Sequence, residues 1–236
     1  MSPNLGFSTG CFLQWKLPIP KFIRLLTRYD LNSLELSFLR EEELFSFRNS
    51  SEIKNLLSSF DFVSIHAPDK RFIKSPEKDL IQELNKLADN LDIRNLVVHP
   101  DSFSNLDNLK ANFEVLIENM PNKNNIFGNL TPAQLQSSHF VFDILHAFQS
   151  SEKDSDIDLL VRSMISSTKE VHASGFTKDL NHSLLVQSER VDMFGSILKK
   201  IFHSKPDIHY IFEGKIKPND FDSIKKEIEL MKTILE

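Results

Sequence analysis

The chain has 236 residues, with 28 Lys or Arg and 33 Asp or Glu, so its formal net charge is −5 at pH 7. This acidic excess argues against broad affinity for nucleic acids or anionic membranes, although a local basic groove could exist within it. The length suits one sizeable hydrophobic core, and no linker separates two parts of the sequence. We therefore expect one domain over residues 1–236.

Cysteine content and the N-terminal sequence predict the compartment. The single cysteine, Cys11, excludes an intrachain disulfide framework. The first ten residues, MSPNLGFSTG, lack the basic segment and apolar run of a secretory signal peptide. No apolar stretch approaches the length that spans a bilayer. These features predict a cytoplasmic protein without a membrane segment.

Eight short apolar or β-rich runs recur along the chain. They are residues 5–10, 33–38, 62–66, 95–99, 114–119, 140–144, 169–174 and 208–214. Between most of these runs, apolar residues recur three and four positions apart, as in amphipathic helices. This spacing is clearest in residues 19–29, 75–91, 154–168 and 220–236.

Eight units of strand followed by helix predict an α/β fold, a closed (β/α)8 TIM barrel of parallel strands. The continuous apolar character of the strands fits burial on both faces. The alternative is an open doubly wound sheet, which usually has a glycine-rich turn after its first strand. The segment STGCF contains too few glycines for that turn. Because the gaps after the fourth and fifth strands are short, we expect short helices there.

Acidic residues and histidines end six of the predicted strands. They are His66, His99, Glu118, Asp143, His172 and Glu213, at or near the ends of strands three to eight. In a parallel barrel these ends open on one face, where barrel enzymes place their chemistry. Crowded carboxylates and imidazoles are costly to bury unless a cation supplies the missing charge. Oxygen and nitrogen donors without a thiolate suit Mn, Mg, Co, Fe or Zn, so we expect a divalent metal.

The remaining histidines divide into two groups. His146 and His182 lie in loops just after predicted strands, so they are candidates for the same pocket. His139, His203 and His209 lie elsewhere, and we interpret them as structural or surface residues.

Other residues near the pocket have alternative interpretations. Glu35, in the second predicted strand, either lines the pocket or hydrogen-bonds to a residue that does. Cys11 and Trp15 follow the first strand, and we expect them to cover the pocket with apolar surface rather than to supply a nucleophile. The charge runs REEE at 40–43 and KKEIE at 225–229 are typical of solvated helix faces.

Seven segments, in chain order, resemble the xylose isomerase-like barrel superfamily. They are FVSIHAP, LVVHPD, VLIEN, FVFDILHAF, EVHASGF, HSLL and IFEG. This superfamily includes sugar-phosphate isomerases and epimerases, inosose dehydratase-type enzymes and the endonuclease IV group. The resemblance covers nearly the whole chain. In the epimerase-like branch it implies one divalent metal on a Glu, Asp, His, Glu set, here Glu118, Asp143, His172 and Glu213.

The endonuclease branch implies further ligands. That branch holds three zinc ions, and the additional ligand positions correspond to His66, His99, His146 and His182. It also has an Asp two residues before the last histidine, where this chain has Leu180, with Asp179 out of register by one. The sequence therefore predicts one tightly bound metal and at most one weaker one.

The epimerase-like branch also implies a reaction, the isomerisation or epimerisation of a sugar or sugar phosphate. The metal would stabilise an enediolate, while Glu118 and Glu213 transfer the proton on opposite sides of the substrate carbon. His146 would hydrogen-bond a substrate hydroxyl. Other expected substrate contacts are His66, His99, His182, Trp15, Lys178 and Lys215. The two lysines follow strands seven and eight, the usual place for a phosphate anchor in such barrels.

Other activities stay open at this point. A metal-dependent phosphodiesterase acting on abasic-site DNA is favoured by the extra histidines. It is opposed by the acidic total, the short loops and the shortage of Arg and Tyr that could grip a duplex. A multinuclear iron enzyme that oxidises a peptide belongs to the same superfamily, and a non-catalytic binding protein is disfavoured because the metal set is complete. The expected partner is thus a small sugar or sugar phosphate, and the oligomeric state is open.

Overall fold

A computed structural model of the chain describes residues 2–236 except residues 49, 111, 123, 125, 129 and 137. Its strands are β1 Asn4–Ser8, β2 Ser33–Ser37, β3 Phe62–His66, β4 Asn95–Val98, β5 Glu114–Glu118, β6 His139–Asp143, β7 Thr168–Ala173, β8 Gly175–Thr177, β9 Leu180–Ser183 and β10 His209–Phe212. Eight of them form a closed parallel barrel in the order β1, β10, β7, β6, β5, β4, β3, β2. Strands β8 and β9 form a separate antiparallel hairpin. The predicted TIM barrel is confirmed.

Helices surround the barrel. They are α1 Ile19–Leu26, α2 Glu41–Ser46, α3 Ser51–Leu57, α4 Glu77–Leu91, α5 Asp107–Lys110, α6 Pro132–Gln136, α7 Ile144–Ser150, α8 Asp154–Met164, α9 Val191–Ser204 and α10 Phe221–Leu235, with 3-10 turns at Thr9–Trp15, Lys70–Phe72, Ile165–Ser167 and Leu185–Gln187. Helices α5 and α6, after β4 and β5, have four and five residues, which confirms the expected short helices. Within the described residues, no helix combines the length and apolarity needed to cross a membrane.

The barrel interior is apolar in its middle and polar at one end. Its apolar cluster consists of Val97, Leu116, Val141 and the partly buried Phe62. Glu118 and Asp143 lie two residues beyond Leu116 and Val141, so alternation along a strand turns them to the same inner face. The polar residues therefore lie above the apolar cluster, at the C-terminal end of the strands.

A register shift aligns two of the strands that carry the site. Phe140 of β6 pairs with Thr168 of β7, whereas the next residue, Val141, pairs with Glu170. Beyond this shift, Asp143 pairs with His172. Paired residues of neighbouring strands point to the same face, so the irregularity places this carboxylate beside this imidazole inside the barrel.

The prediction that both charge runs are solvated helix faces is wrong for one glutamate in each run. Glu41 in α2 is buried and accepts hydrogen bonds from the backbone N–H groups of residues 74 and 75, both at 2.9 Å. Glu227 in α10 is fully buried and accepts from the N–H groups of residues 185 and 186, at 2.6 and 3.0 Å. Both donor pairs lie in loops distant in sequence, so the charge pattern could not indicate them.

Candidate metal centre

The six acidic and histidine residues at the predicted strand ends converge at the C-terminal end of the barrel. Three of them end strands: His66 ends β3, Glu118 ends β5 and Asp143 ends β6. His172 lies within β7, while His99 and Glu213 directly follow β4 and β10. Each of the six belongs to at least one group of residues whose donor atoms lie within 4.8 Å of one another. The parallel strand directions produce this convergence, as the sequence predicts.

Glu118 is at the centre of these contacts. Its Oε2 lies 3.0 Å from His66 Nε2 and 3.3 Å from His99 Nε2. Its Oε1 lies 2.9 Å from His146 Nδ1. Burial opposes ionisation of this carboxyl, but the surrounding histidines, His99 first, hold the pKa of Glu118 well below its usual value. Glu118 is therefore a carboxylate that already faces several potential donors.

Carboxylates have the converse effect on two histidines. Burial alone would lower the pKa of His66, but Glu35 and Glu118 raise it to about 10. Burial alone would also lower the pKa of His146, but Asp143 and Glu118 raise it to about 10. Imidazolium groups therefore supply positive charge to the carboxylates when no cation is bound.

Several buried atoms of the site have no hydrogen-bond partner among the described residues, and they include Asp143 Oδ2 and His172 Nδ1. The Nδ1 atom lies 3.3 Å from Glu213 Oε2 and 3.8 Å from Glu118 Oε2. Buried polar atoms are normally paired, so atoms left unpaired beside one another indicate a missing ligand. A cation between these donors would satisfy them.

Glu213 differs from Glu118 in its ionisation. Burial, together with the charges of Glu35 and Glu118, raises the pKa of Glu213 to about 8, although the nearby His172 acts in the opposite direction. Its side chain is 16% exposed, so it borders the opening of the site. A carboxyl group with a pKa near neutrality is suited to proton transfer.

The potential metal donors form four overlapping groups. They are Glu118, Asp143 and His172; Asp143, His182 and Glu213; Glu35, His66, His172 and Glu213; and His66, His99 and Glu118. The first two groups together contain the four predicted ligands and add His182. The last group shares Glu118 with the first, so this carboxylate can reach two cation positions.

Trp15 packs within an aromatic cluster, and its expected contact with substrate stays a prediction. Its ring packs edge-on against Phe12, Phe22 and Phe221, with centroids 5.4 to 6.1 Å apart. Its indole N–H donates to the carbonyl of Ile216 at 2.9 Å. These contacts bury the ring and satisfy its donor, so the structure gives Trp15 a packing role.

Cys11 is also part of the core. Its thiol donates to the carbonyl of Phe212 at 3.0 Å. Burial, then the charges of Glu213 and Glu35, raise the pKa of the thiol well above its usual value. The thiol therefore stays protonated, which argues against a nucleophilic role.

The hairpin and the loop after β10 carry the remaining predicted contacts. His182 has a left-handed backbone with φ of 55° and lies 3.3 Å from the Ser174 hydroxyl through Nδ1. Burial lowers the pKa of His182, and the nearby His146 lowers it further, although Asp143 acts in the opposite direction. Lys178 and Lys215 are exposed, and their role as phosphate anchors stays a prediction.

Sequence reasoning missed two buried residues. The Asn119 side-chain amide donates to the Asp143 carbonyl at 3.0 Å and accepts from its N–H at 2.7 Å, which joins the ends of β5 and β6. Glu170 lies 3.1 Å from His172 Nε2. It is two residues before His172 on the same strand, and this alternation could have placed it inside the barrel.

Neither a protein-family model nor a curated protein matches the chain. Solved structures do share its fold. A xylose isomerase domain-containing protein from Salmonella typhimurium LT2 is 18% identical over 99% of this chain and 97% of that one, with a TM-score of 0.71. A sugar phosphate isomerase/epimerase from Parabacteroides distasonis is 13% identical over 100% and 96%, with a TM-score of 0.68. An AP endonuclease of family 2 from Brucella melitensis is 14% identical over 91% and 95%, with a TM-score of 0.57.

These likenesses show that the chain shares its TIM-barrel fold with proteins of the kind that the sequence resembles. Two of the named neighbours carry enzyme names, one a sugar phosphate isomerase/epimerase and the other an endonuclease. The fold alone does not distinguish an isomerase from an endonuclease, so the reaction has to be inferred from the residues of the site.

Proposed function

We propose that the chain is a divalent-metal-dependent isomerase or epimerase of a sugar or sugar phosphate. The observation that supports it most is the pair of unpartnered buried atoms, Asp143 Oδ2 and His172 Nδ1, within the donor group that includes Glu118. A divalent cation fits this set because carboxylate oxygen and imidazole nitrogen are both suitable ligands.

The proposed ligands are Glu118, Asp143, His172 and Glu213, and the donor set is compatible with Mn, Mg, Co, Fe or Zn. The bound cation would supply Lewis-acid polarisation of a substrate carbonyl, which acidifies the neighbouring C–H bond. Glu118 and Glu213 both lie close to His172 Nδ1, at 3.8 and 3.3 Å. This placement suits two carboxyl groups that remove and return a proton at one carbon.

Neighbouring residues would orient the substrate. His146 and His182 have rings 5.8 Å apart, at the side of the site next to Asp143. His182 is half-buried and the His146 side chain keeps 11% of its surface exposed, so we assign both to substrate hydroxyls. The exposed Lys178 and Lys215 would bind a terminal phosphate if the substrate carries one.

The test combines metal content with proton exchange. We expect at least one divalent metal per chain by elemental analysis, and a lower thermal midpoint after chelation, because a ligand that binds only the folded state stabilises it. With ketoses and ketose phosphates as substrates, solvent deuterium should enter a carbon-bound position. Asp143→Asn should lose both properties, whereas Asp179→Asn, an exposed acidic position in the hairpin turn, should keep both. No metal together with a midpoint insensitive to chelator would overturn the site.

A second candidate function is favoured by one observation. His66, His99 and Glu118 form a donor group of their own, and a carboxylate shared between two cations is a feature of hydrolytic metal clusters. The candidate is a metal-dependent phosphodiesterase acting on abasic-site DNA. Against it, Leu180 offers no donor for a third ion.

A double variant, His66→Ala with His99→Ala, separates the two functions. The isomerase proposal requires that the tightly bound metal remains in this variant and that even the parent does not cleave abasic-site DNA. Three metals per chain, or metal-dependent nicking that disappears in the double variant, would support the nuclease instead.

A further inference from the structure

The side of His172 that faces away from the proposed metal meets two carboxylates. Its Nε2 lies 3.1 Å from Glu170 Oε1 and 3.2 Å from Glu35 Oε2. All three side chains are fully buried. One imidazole N–H can donate one good hydrogen bond, so the two carboxylates cannot have equivalent roles.

Hydrogen-bond geometry distinguishes the two carboxylates. The contact of His172 Nε2 with Glu170 is a hydrogen bond, whereas neither oxygen of Glu35 has a hydrogen-bond partner among the described residues. Glu170 Oε1 also accepts from the Ser64 hydroxyl at 3.3 Å, which orients the carboxylate from strand β3. Glu170 is thus held in place, and it lies on the same strand and the same face as His172.

The hydrogen bond decides which nitrogen is free to bind a cation. When Nε2–H donates to Glu170, the Nδ1 lone pair points to the space beside Glu118 and Glu213. A carboxylate behind a ligating histidine fixes the ring and increases its basicity. We propose that Glu170 is the positioning residue that directs His172 Nδ1 to the metal, and that Glu35 does not share this role.

The first test does not depend on metal. In metal-free protein we expect the His172 Nε2–H proton to give a downfield, slowly exchanging NMR signal, assigned with His172→Gln. In Glu170→Gln it should move upfield and exchange about tenfold faster, because the side-chain amide has only one acceptor oxygen and can turn its NH₂ group towards His172, which removes the acceptor. Glu35→Gln is the matched control, with the same isosteric change at the same depth. A signal altered by Glu35→Gln and not by Glu170→Gln would overturn the assignment.

The second test is metal affinity, and it rests on the proposed function. Competition with a chromophoric chelator should show Zn²⁺ and Co²⁺ binding about 10- to 100-fold weaker in Glu170→Gln, as is typical when a residue behind a metal ligand is lost. The visible spectrum of bound Co²⁺ should change in the same variant and not in Glu35→Gln. Equal affinities and spectra in all three proteins would overturn the proposal.

Two controls keep the outcomes separable. If the parent binds no divalent metal, the proposed function fails, while the NMR comparison still decides which carboxylate accepts from His172. If Glu170→Gln does not fold, as judged by its thermal midpoint without metal, Ser64→Ala replaces it. This variant removes the hydroxyl that orients Glu170, so it should shift the same NMR signal in the same direction, and an unchanged signal would count against the proposal.

Discussion

Buried carboxylates occur in two regions of this molecule, and their surroundings differ. In the helix layer, Glu41 and Glu227 each accept two backbone N–H groups from a loop. At the C-terminal end of the barrel, carboxylates face imidazoles and one another, and Asp143 Oδ2 has no hydrogen-bond partner among the described residues. The carboxylates of the first kind have their hydrogen bonds within the folded chain, whereas those of the second kind include oxygens without a hydrogen bond from the described residues.

The comparison shows that burial of an acidic residue does not by itself indicate function. The oxygens of a buried carboxyl group are satisfied when donors pair with them, and two N–H groups at hydrogen-bond distance do so. Function is indicated where compensation is incomplete and several such groups share one space.

Replacing Glu118 should have the largest effect. In Glu118→Gln we expect solvent-deuterium exchange into substrate to fall by about 10²- to 10⁴-fold, because a proton-transfer group is lost together with a metal ligand. Glu114→Gln, at the opposite end of the same strand, is the control and should exchange like the parent. Unimpaired exchange in Glu118→Gln would mean that Glu118 has a structural role, as Glu41 and Glu227 do.

Replacing Glu227 should affect stability rather than chemistry. Glu227→Ala leaves two N–H groups without their acceptor, and we expect the free energy of unfolding to fall by about 3 kcal/mol. Urea denaturation measures this change. An unchanged midpoint would mean that the loop at residues 185–187 is held by other contacts.

The Glu227 carboxyl also predicts a pH dependence. Burial raises its pKa from 4.5 to about 7, despite the hydrogen bonds from residues 185 and 186. The folded chain therefore keeps a proton that the unfolded chain has already lost. This contribution to stability is fully present below pH 4.5 and is lost as the pH rises through 7. The unfolding free energy of the parent relative to Glu227→Gln should fall by about 3 kcal/mol across this window. If the unfolding free energies of the parent and Glu227→Gln differed by the same amount below pH 4.5 and above pH 7, the raised pKa of Glu227 would be contradicted.

The smallest effect is expected at Glu41. Glu41→Ala should lower the free energy of unfolding by about 1 kcal/mol, because water at the surface can replace part of what the two N–H groups lose. The neighbouring Glu42, which forms an exposed ion pair with Lys74, is the matched control. Glu42→Ala should leave the free energy of unfolding close to that of the parent, because exposed ion pairs contribute little to stability. Equal effects of both changes would remove the distinction between the two glutamates.

The barrel and its converging polar residues were predictable because they depend on periodicity. Apolar runs give the strands, and parallel strands bring residues at their ends to one face, as with Glu118 and His172. This reasoning needs no knowledge of which loop meets which helix. Glu170 was within reach of the same argument, since it is two residues before His172.

Contacts between elements distant in sequence were not predictable in this way. Glu227 meets a loop more than 40 residues earlier in the chain, and nothing in its local charge pattern distinguishes it from solvated neighbours. Trp15 packs against Phe22 and Phe221, and its position after β1 does not indicate these two contacts. Local sequence indicates that a residue is apolar or charged, and tertiary packing decides what it contacts.

The order of the strands has a consequence for the path of folding. The proposed ligands are on or directly after β5, β6, β7 and β10, which are consecutive neighbours in the barrel. The barrel closes where β10 pairs with β1, so this closure joins the last strand of the chain to the first. Contacts between such distant segments form slowly because of the entropy of loop closure. The four ligands can therefore assemble on an open half-barrel, and we expect a cation present during refolding to stabilise that half before β1 completes the ring.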